Sequence, residues 1–91
     1  MQQKCNKTKY FAKVLGEVIR EYRIKNEKGS INKIAHEYDL TVGTTSRVET
    51  GAVEVKVITL WKISEALEIK LSELIKVLEE KLGDDFLFYD E

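Results

Sequence analysis

The 91-residue sequence contains no proline, one cysteine and one histidine. With no proline to break them, helices are expected to dominate. Cys5 has no internal partner for a disulfide, and with His36 alone it cannot complete a zinc site in any familiar spacing. Disulfide and zinc scaffolds are therefore excluded, no cofactor or metal is called for, and Cys5 reads as an uninvolved thiol. No apolar run approaches the ~20 residues that cross a bilayer, so no membrane partner is expected. The first fourteen residues also lack the apolar stretch of a signal peptide, which points to the cytoplasm. What remains, 43% hydrophobic and 34% charged residues, is the composition of a soluble globular chain rather than a disordered one.

Net charge is −1, yet the two parts of the chain differ. Residues 1–51 hold ten basic and six acidic side chains, net +4, whereas 52–91 hold five basic and ten acidic, net −5. This asymmetry suits an anionic partner for the first part, although scatter in a small chain also produces it.

Apolar residues at Phe11, Val14, Leu15, Val18, Ile19 and Tyr22 follow the spacing of one helix face, predicting a helix from about Thr8 to Lys25. Ahead of it, residues 1–10 carry Lys4, Lys7 and Lys9, read either as a basic arm tracking phosphates or as a solubilising end. Asn26 to Gly29 break the pattern. Ser30 is a candidate N-cap for a short helix bearing Ile31, Ile34, Ala35 and Tyr38. Thr41 is positioned to cap the next, about Val42 to Thr50, with Gly51 ending it in the left-handed conformation. Residues 52–57 alternate like a strand but have nothing to pair with, so they read as an extended linker. Leu60, Ile63, Ser64 and Leu67 mark a fourth helix. Leu71, Leu74, Ile75, Leu78 and Leu82 mark a fifth, with Ser72 as N-cap and Gly83 as terminator. Residues 83–91 form a short apolar and acidic tail.

The informative block is Ser30 to Gly51. Two short helices joined by a tight turn must cross steeply. Ala35 leaves room for the crossing, Ile34, Leu40 and Val48 fill around it, and Asp39 tolerates the positive φ that the turn requires. Leu15, Gly16, Ile19, Arg20 and Arg23, then Ser30, Ile34 and Ala35, then Thr41, Ser46, Arg47, Val48, Glu49 and Gly51, and finally Leu60, Ile63, Ala66, Leu67 and Leu71 together resemble the Cro/C1-type helix-turn-helix family, also called the XRE family. The resemblance covers roughly two thirds of the chain. It implies an all-α, five-helix, repressor-like domain over 11–82, whose helix at 42–50 enters the major groove of double-stranded DNA, commonly as a dimer on two half-sites.

Carried onto this sequence, the resemblance implies that Thr41, Thr44 and Thr50 contact phosphate, with Thr41 at the helix N-terminus where free N–H groups favour anions. Val42, Gly43, Ser46 and Arg47 face base edges. Arg47 is the side chain in this set that can grip guanine O6 and N7 together, while Val42 offers a thymine methyl only an apolar contact. Ser30, Asn32 and Lys33 lie along the backbone. Arg23 and Glu49 resemble a buried ion pair between the first helix and the end of the recognition helix. The sequence departs from the family pattern at Ile31, Gly43, Thr45, Glu68 and the linker Ala52-Val53-Glu54.

The implied function is a repressor-like, sequence-specific transcription regulator of prokaryotic or phage type. Leu74, Ile75, Leu78, Leu82, Phe86 and Phe88 supply more apolar surface than a small domain needs, so a homodimer through the last helix and the tail is expected, with fold-back of the tail as the alternative. A second class is an antitoxin or anti-repressor whose acidic second half holds a toxin or regulator. Catalysis is not expected, because nothing in the sequence assembles a nucleophile, base and oxyanion donors.

Overall fold

The computed structural model describes residues 2–25, 36–38 and 40–89, with side chains from Asn6 onward apart from that of position 42. Among these residues there are helices and no strands: α1 (Gln2–Lys25), α2 (Val42–Thr50), α3 (Val57–Ala66) and α4 (Leu71–Leu82). Four helices stand where five are expected. The expected second helix lies outside the described residues except at its end, where His36 and Glu37 are helical and Tyr38 sits in a turn. Its cap Ser30, small residue Ala35 and turn residue Asp39 also lie outside them. No described helix is long and apolar enough to cross a membrane.

α1 is the organising element because it packs against both α2 and α4. Its face of Val14, Leu15, Val18 and Ile19 meets Val48 of α2, Leu60 and Ile63 of α3, Leu67, and Leu74 and Leu78 of α4. Val18, Leu67 and Leu74 are completely withdrawn from solvent, and each such side chain contributes roughly 1.5–3 kcal/mol of transfer free energy. The core therefore ties all four helices to one another.

Helix termini follow from local chemistry. Gly51 ends α2 at φ +75°, and the Ala52 amide donates to the Arg47 carbonyl at 2.9 Å, the closing bond of a left-handed cap. The residue that performs the same turn after α3 is Glu68, at φ +59°, with the Ile69 amide donating to the Ser64 carbonyl at 3.0 Å. The bond pattern of the cap is thus kept without glycine.

The structure corrects four expectations. α1 begins at Gln2, not near Thr8, so the basic stretch is the opening of a helix rather than a separate arm. Residues 2–10 lack the apolar periodicity that marks a helix, but they contain nothing that breaks one. α3 begins at Val57, three residues before Leu60, because the alternating stretch gives way to helix at Lys56. The N-cap of α4 is Lys70, without a side-chain cap bond, and Ser72 falls inside the first turn.

The fourth correction concerns the dimer surface. Leu74 and Leu78 are buried within the chain's own core, and Ile75 and Leu82 pack against it. The tail folds back on α1. Phe88 lies 5.3 Å from Phe11 and 5.1 Å, edge to face, from Phe86, and Phe86 lies 6.0 Å from Tyr10. The ammonium of Lys7 donates to the carbonyls of Leu87 and Tyr89 at 2.6 and 3.2 Å. The clasp engages one side of the tail, while Leu87, Phe88 and Tyr89 stay 61%, 49% and 72% exposed.

Candidate functional site

α2 is two-sided. Thr45, Val48 and Glu49 turn inward and are buried, whereas Gly43, Arg47 and Thr50 form an exposed stripe at i, i+4 and i+7, flanked by half-buried Thr44 and Ser46. Thr45 stands where an aliphatic residue is usual in the family. It is accommodated because its hydroxyl donates to the Thr41 carbonyl at 3.1 Å, leaving no buried donor without a partner.

The N-terminus of α2 is built by Thr41, whose hydroxyl accepts from the Thr44 amide at 3.0 Å and donates to the Thr44 hydroxyl at 2.7 Å. The two hydroxyls thus share a hydrogen bond inside the cap. The first turn of α2 contains no acidic residue, so its helix dipole is uncompensated and favours an anion. At the other end, the Thr50 hydroxyl donates to the Arg47 carbonyl at 3.2 Å.

Two devices hold α2 in place. Arg23 of α1 meets Glu49 through a two-point pair, Nε to Oε2 at 2.6 Å and Nη2 to Oε1 at 3.1 Å. The Glu49 side chain is 5% exposed and that of Arg23 18%. The hydrogen bond to Glu49 pushes the Arg23 pKa upward, burial opposes this, and the carboxylate's charge adds to the rise. The second device is steric. A β-carbon on Gly16 would lie 2.4 and 2.5 Å from the carbonyl oxygens of Glu49 and Val48, and one on Gly51 would lie 2.6 Å from the Lys13 Cα. α1 and the end of α2 therefore approach backbone to backbone.

The structure places Thr44, Ser46, Arg47 and Thr50 on or beside one face, and brings Arg23 to Glu49. Val42 opens α2, with its side chain outside the description. Ser30, Asn32 and Lys33 lie outside the described residues. Sequence reasoning missed Lys56 and Thr59, which border a groove of about 300 Å3 together with Thr44 and Arg47. They fell in the presumed linker and before the expected start of the next helix, where no periodicity drew attention to them. It also missed the role of Gly16, since a glycine inside a helix shows its purpose only when the facing backbone is known.

No curated protein sequence matches the chain significantly. Among solved structures, the crystal structure of the clp gene regulator ClgR from C. glutamicum superposes with a TM-score of 0.72, covering 82% of this chain and 96% of that one at 19% identity. At that identity the likeness is one of fold. A family profile described as helix-turn-helix matches residues 19–74, which takes in α2 and α3 whole, the close of α1 and the opening of α4. With more than half of its length so matched, the chain belongs to the Cro/C1-type helix-turn-helix family of DNA-binding domains.

Proposed function

We propose that this protein is a sequence-specific, repressor-like transcription regulator that lays α2 in the major groove of double-stranded DNA. The observation that carries the reading is the two-sided build of α2: Thr45, Val48 and Glu49 lock it to the core, while Gly43, Arg47 and Thr50 face out beside an uncompensated helix N-terminus. The fold is shared with the clp gene regulator ClgR. In this reading Arg47 grips a guanine edge, Val42, Gly43 and Ser46 lie along neighbouring bases, and Ser30, Asn32, Lys33, Thr41, Thr44 and Thr50 line the phosphates. The Thr41 hydroxyl is bonded to Thr44 within the cap, so in this reading it shares the phosphate contact with Thr44 and the backbone amides of the first turn.

Arg47→Ala is expected to weaken binding to a selected duplex by roughly 1–3 kcal/mol, the worth of one two-point base contact. Helical content should be unchanged. Titration of wild type and variant against the duplex that wild type enriches from a randomised pool checks this. Equal affinities would place base reading elsewhere.

A homodimer belongs to the same reading, with its two-fold axis at the start of α3. Val57, Ile58 and Trp61 are 68%, 72% and 55% exposed there, a concentration of apolar surface uncommon on a monomer. Trp61 also borders an open groove of about 1100 Å3 with Tyr38, Ile69, Leu71 and Ile75, so one copy can offer both a projecting ring and a recess to receive its partner's, as a self-complementary interface requires. Trp61→Lys should convert a dimer at micromolar concentration to monomer in sedimentation equilibrium. A wild-type monomer, or a variant that still dimerises, would exclude this surface.

A further inference from the structure

The outward stripe of α2 contains a glycine, Gly43, at the second position of the helix, and the residue one turn on from it is the side chain expected to read DNA. A β-carbon built on Gly43 would lie 3.4 Å from Arg47 Nη2 and 3.9 Å from Arg47 Cζ. The guanidinium therefore lies back over the bare Cα one turn toward the helix N-terminus, the direction in which long helical side chains run. No acid holds it there. Among the described residues Arg47 has no ion-pair or side-chain hydrogen-bond partner, so all five of its N–H donors remain available.

We infer that Gly43 is a positioning residue for base recognition: by withholding a side chain, it gives the Arg47 guanidinium a berth on the N-terminal half of α2 and so fixes which base pair Arg47 reads. The inference rests on the proposed DNA reading and adds a specificity determinant to it. A helix entering the major groove meets base edges chiefly through its N-terminal residues. An arginine at the sixth position of a nine-residue helix reaches that region only if it can lie back along the helix. A longer side chain at position 43 would take the same space and make the guanidinium extend away from it. The ligand class that follows is a duplex with one strongly preferred G·C pair per half-site, contacted through guanine O6 and N7, and weaker preference at the adjacent step, where Gly43 offers no side-chain donor.

The test compares wild type, Gly43→Ala, Gly43→Gln and Arg47→Ala by selection from a randomised duplex pool, followed by titration of duplexes differing at the enriched guanine, in low and moderate salt. Gly43→Ala should keep the guanine preference, since its methyl group sits at ordinary contact distance. Gly43→Gln should lower that preference about tenfold or more, the lower range of one two-point contact, while affinity for a non-cognate duplex stays level because the charge is unaltered. Both substitutions favour helix over glycine, so circular dichroism should report an intact fold. The Gly43→Gln, Arg47→Ala double variant should lose no more preference than Arg47→Ala alone. If Gly43→Gln selects the same guanine as strongly as wild type while Arg47→Ala does not, Gly43 positions nothing and the inference is overturned with the DNA reading intact. If wild type enriches no sequence, both fall together.

Discussion

An Arg23→Met variant is expected to lose about 3 kcal/mol of unfolding free energy, at the lower end of the range for breaking a buried ion pair. Removing Arg23 strands a carboxylate whose side chain is only 5% exposed, and an unpaired buried charge is costly. Glu49→Gln should cost less, about 1–2 kcal/mol, because Arg23 keeps some access to water and the amide still offers one acceptor oxygen. The double variant Arg23→Met, Glu49→Gln should be more stable than the sum of the single losses implies, since no orphaned charge remains. Denaturant unfolding of the four proteins measures the coupling. Small, additive losses would mean that solvent screens the pair. On the arginine side, the pKa is raised, so its contribution is complete below the ordinary guanidinium pKa and fades only as pH rises through the higher folded value. The guanidinium therefore sets no limit to stability at neutral pH.

Gly16→Ala is expected to destabilise the fold by about 2–3 kcal/mol, in the range for overpacking a tight contact, although alanine gains ~1 kcal/mol over glycine in helix propensity. The propensity gain is outweighed because the added methyl would meet the Val48 and Glu49 carbonyls at 2.5 and 2.4 Å, and backbone cannot turn aside as a side chain can. α1 would have to move away from α2, loosening Val48 and the Arg23–Glu49 pair together. A thermal midpoint lowered by roughly 10–20 °C is expected for a chain of this size. A midpoint at or above that of wild type would show that the two helices separate at little cost. DNA affinity measured well below the midpoint should fall too, since the angle at which α2 is presented depends on the same crossing.

Much of the fold was legible because its periodicity is strong. Val14, Leu15, Val18 and Ile19 marked the core face of α1, and Thr41 and Gly51 marked the ends of α2 through cap chemistry that is local in sequence. The opening of α1 was not legible, because the partners of Lys7, Tyr10 and Phe11 lie in a tail more than seventy residues away in sequence. The tail itself could be read in two ways. Phe86 and Phe88 invite apolar neighbours, but contact with a second copy and contact with Phe11 and Tyr10 leave the same pattern in the sequence. Leu74 and Leu78 misled for a related reason: an amphipathic helix reveals that it has an apolar face, not which surface that face meets. Glu68 shows the converse, since the bond pattern of a helix end persisted where the usual glycine was absent. For the site, residue types and spacing pointed to Arg47, whereas its relation to Gly43 and the proximity of Lys56 and Thr59 emerged only in three dimensions.

The claim on which the account depends is that the outward face of α2 meets DNA. Its most direct test is the amide spectrum of isotope-labelled protein titrated with the duplex it enriches from a randomised pool. The signals of Gly43, Thr44, Ser46, Arg47 and Thr50, with the Arg47 side-chain Nε, should shift or broaden on binding, while those of Leu74, Leu78 and Lys81 on α4 stay in place. Perturbation confined to α4 or the tail, with the signals of α2 unmoved, would contradict it.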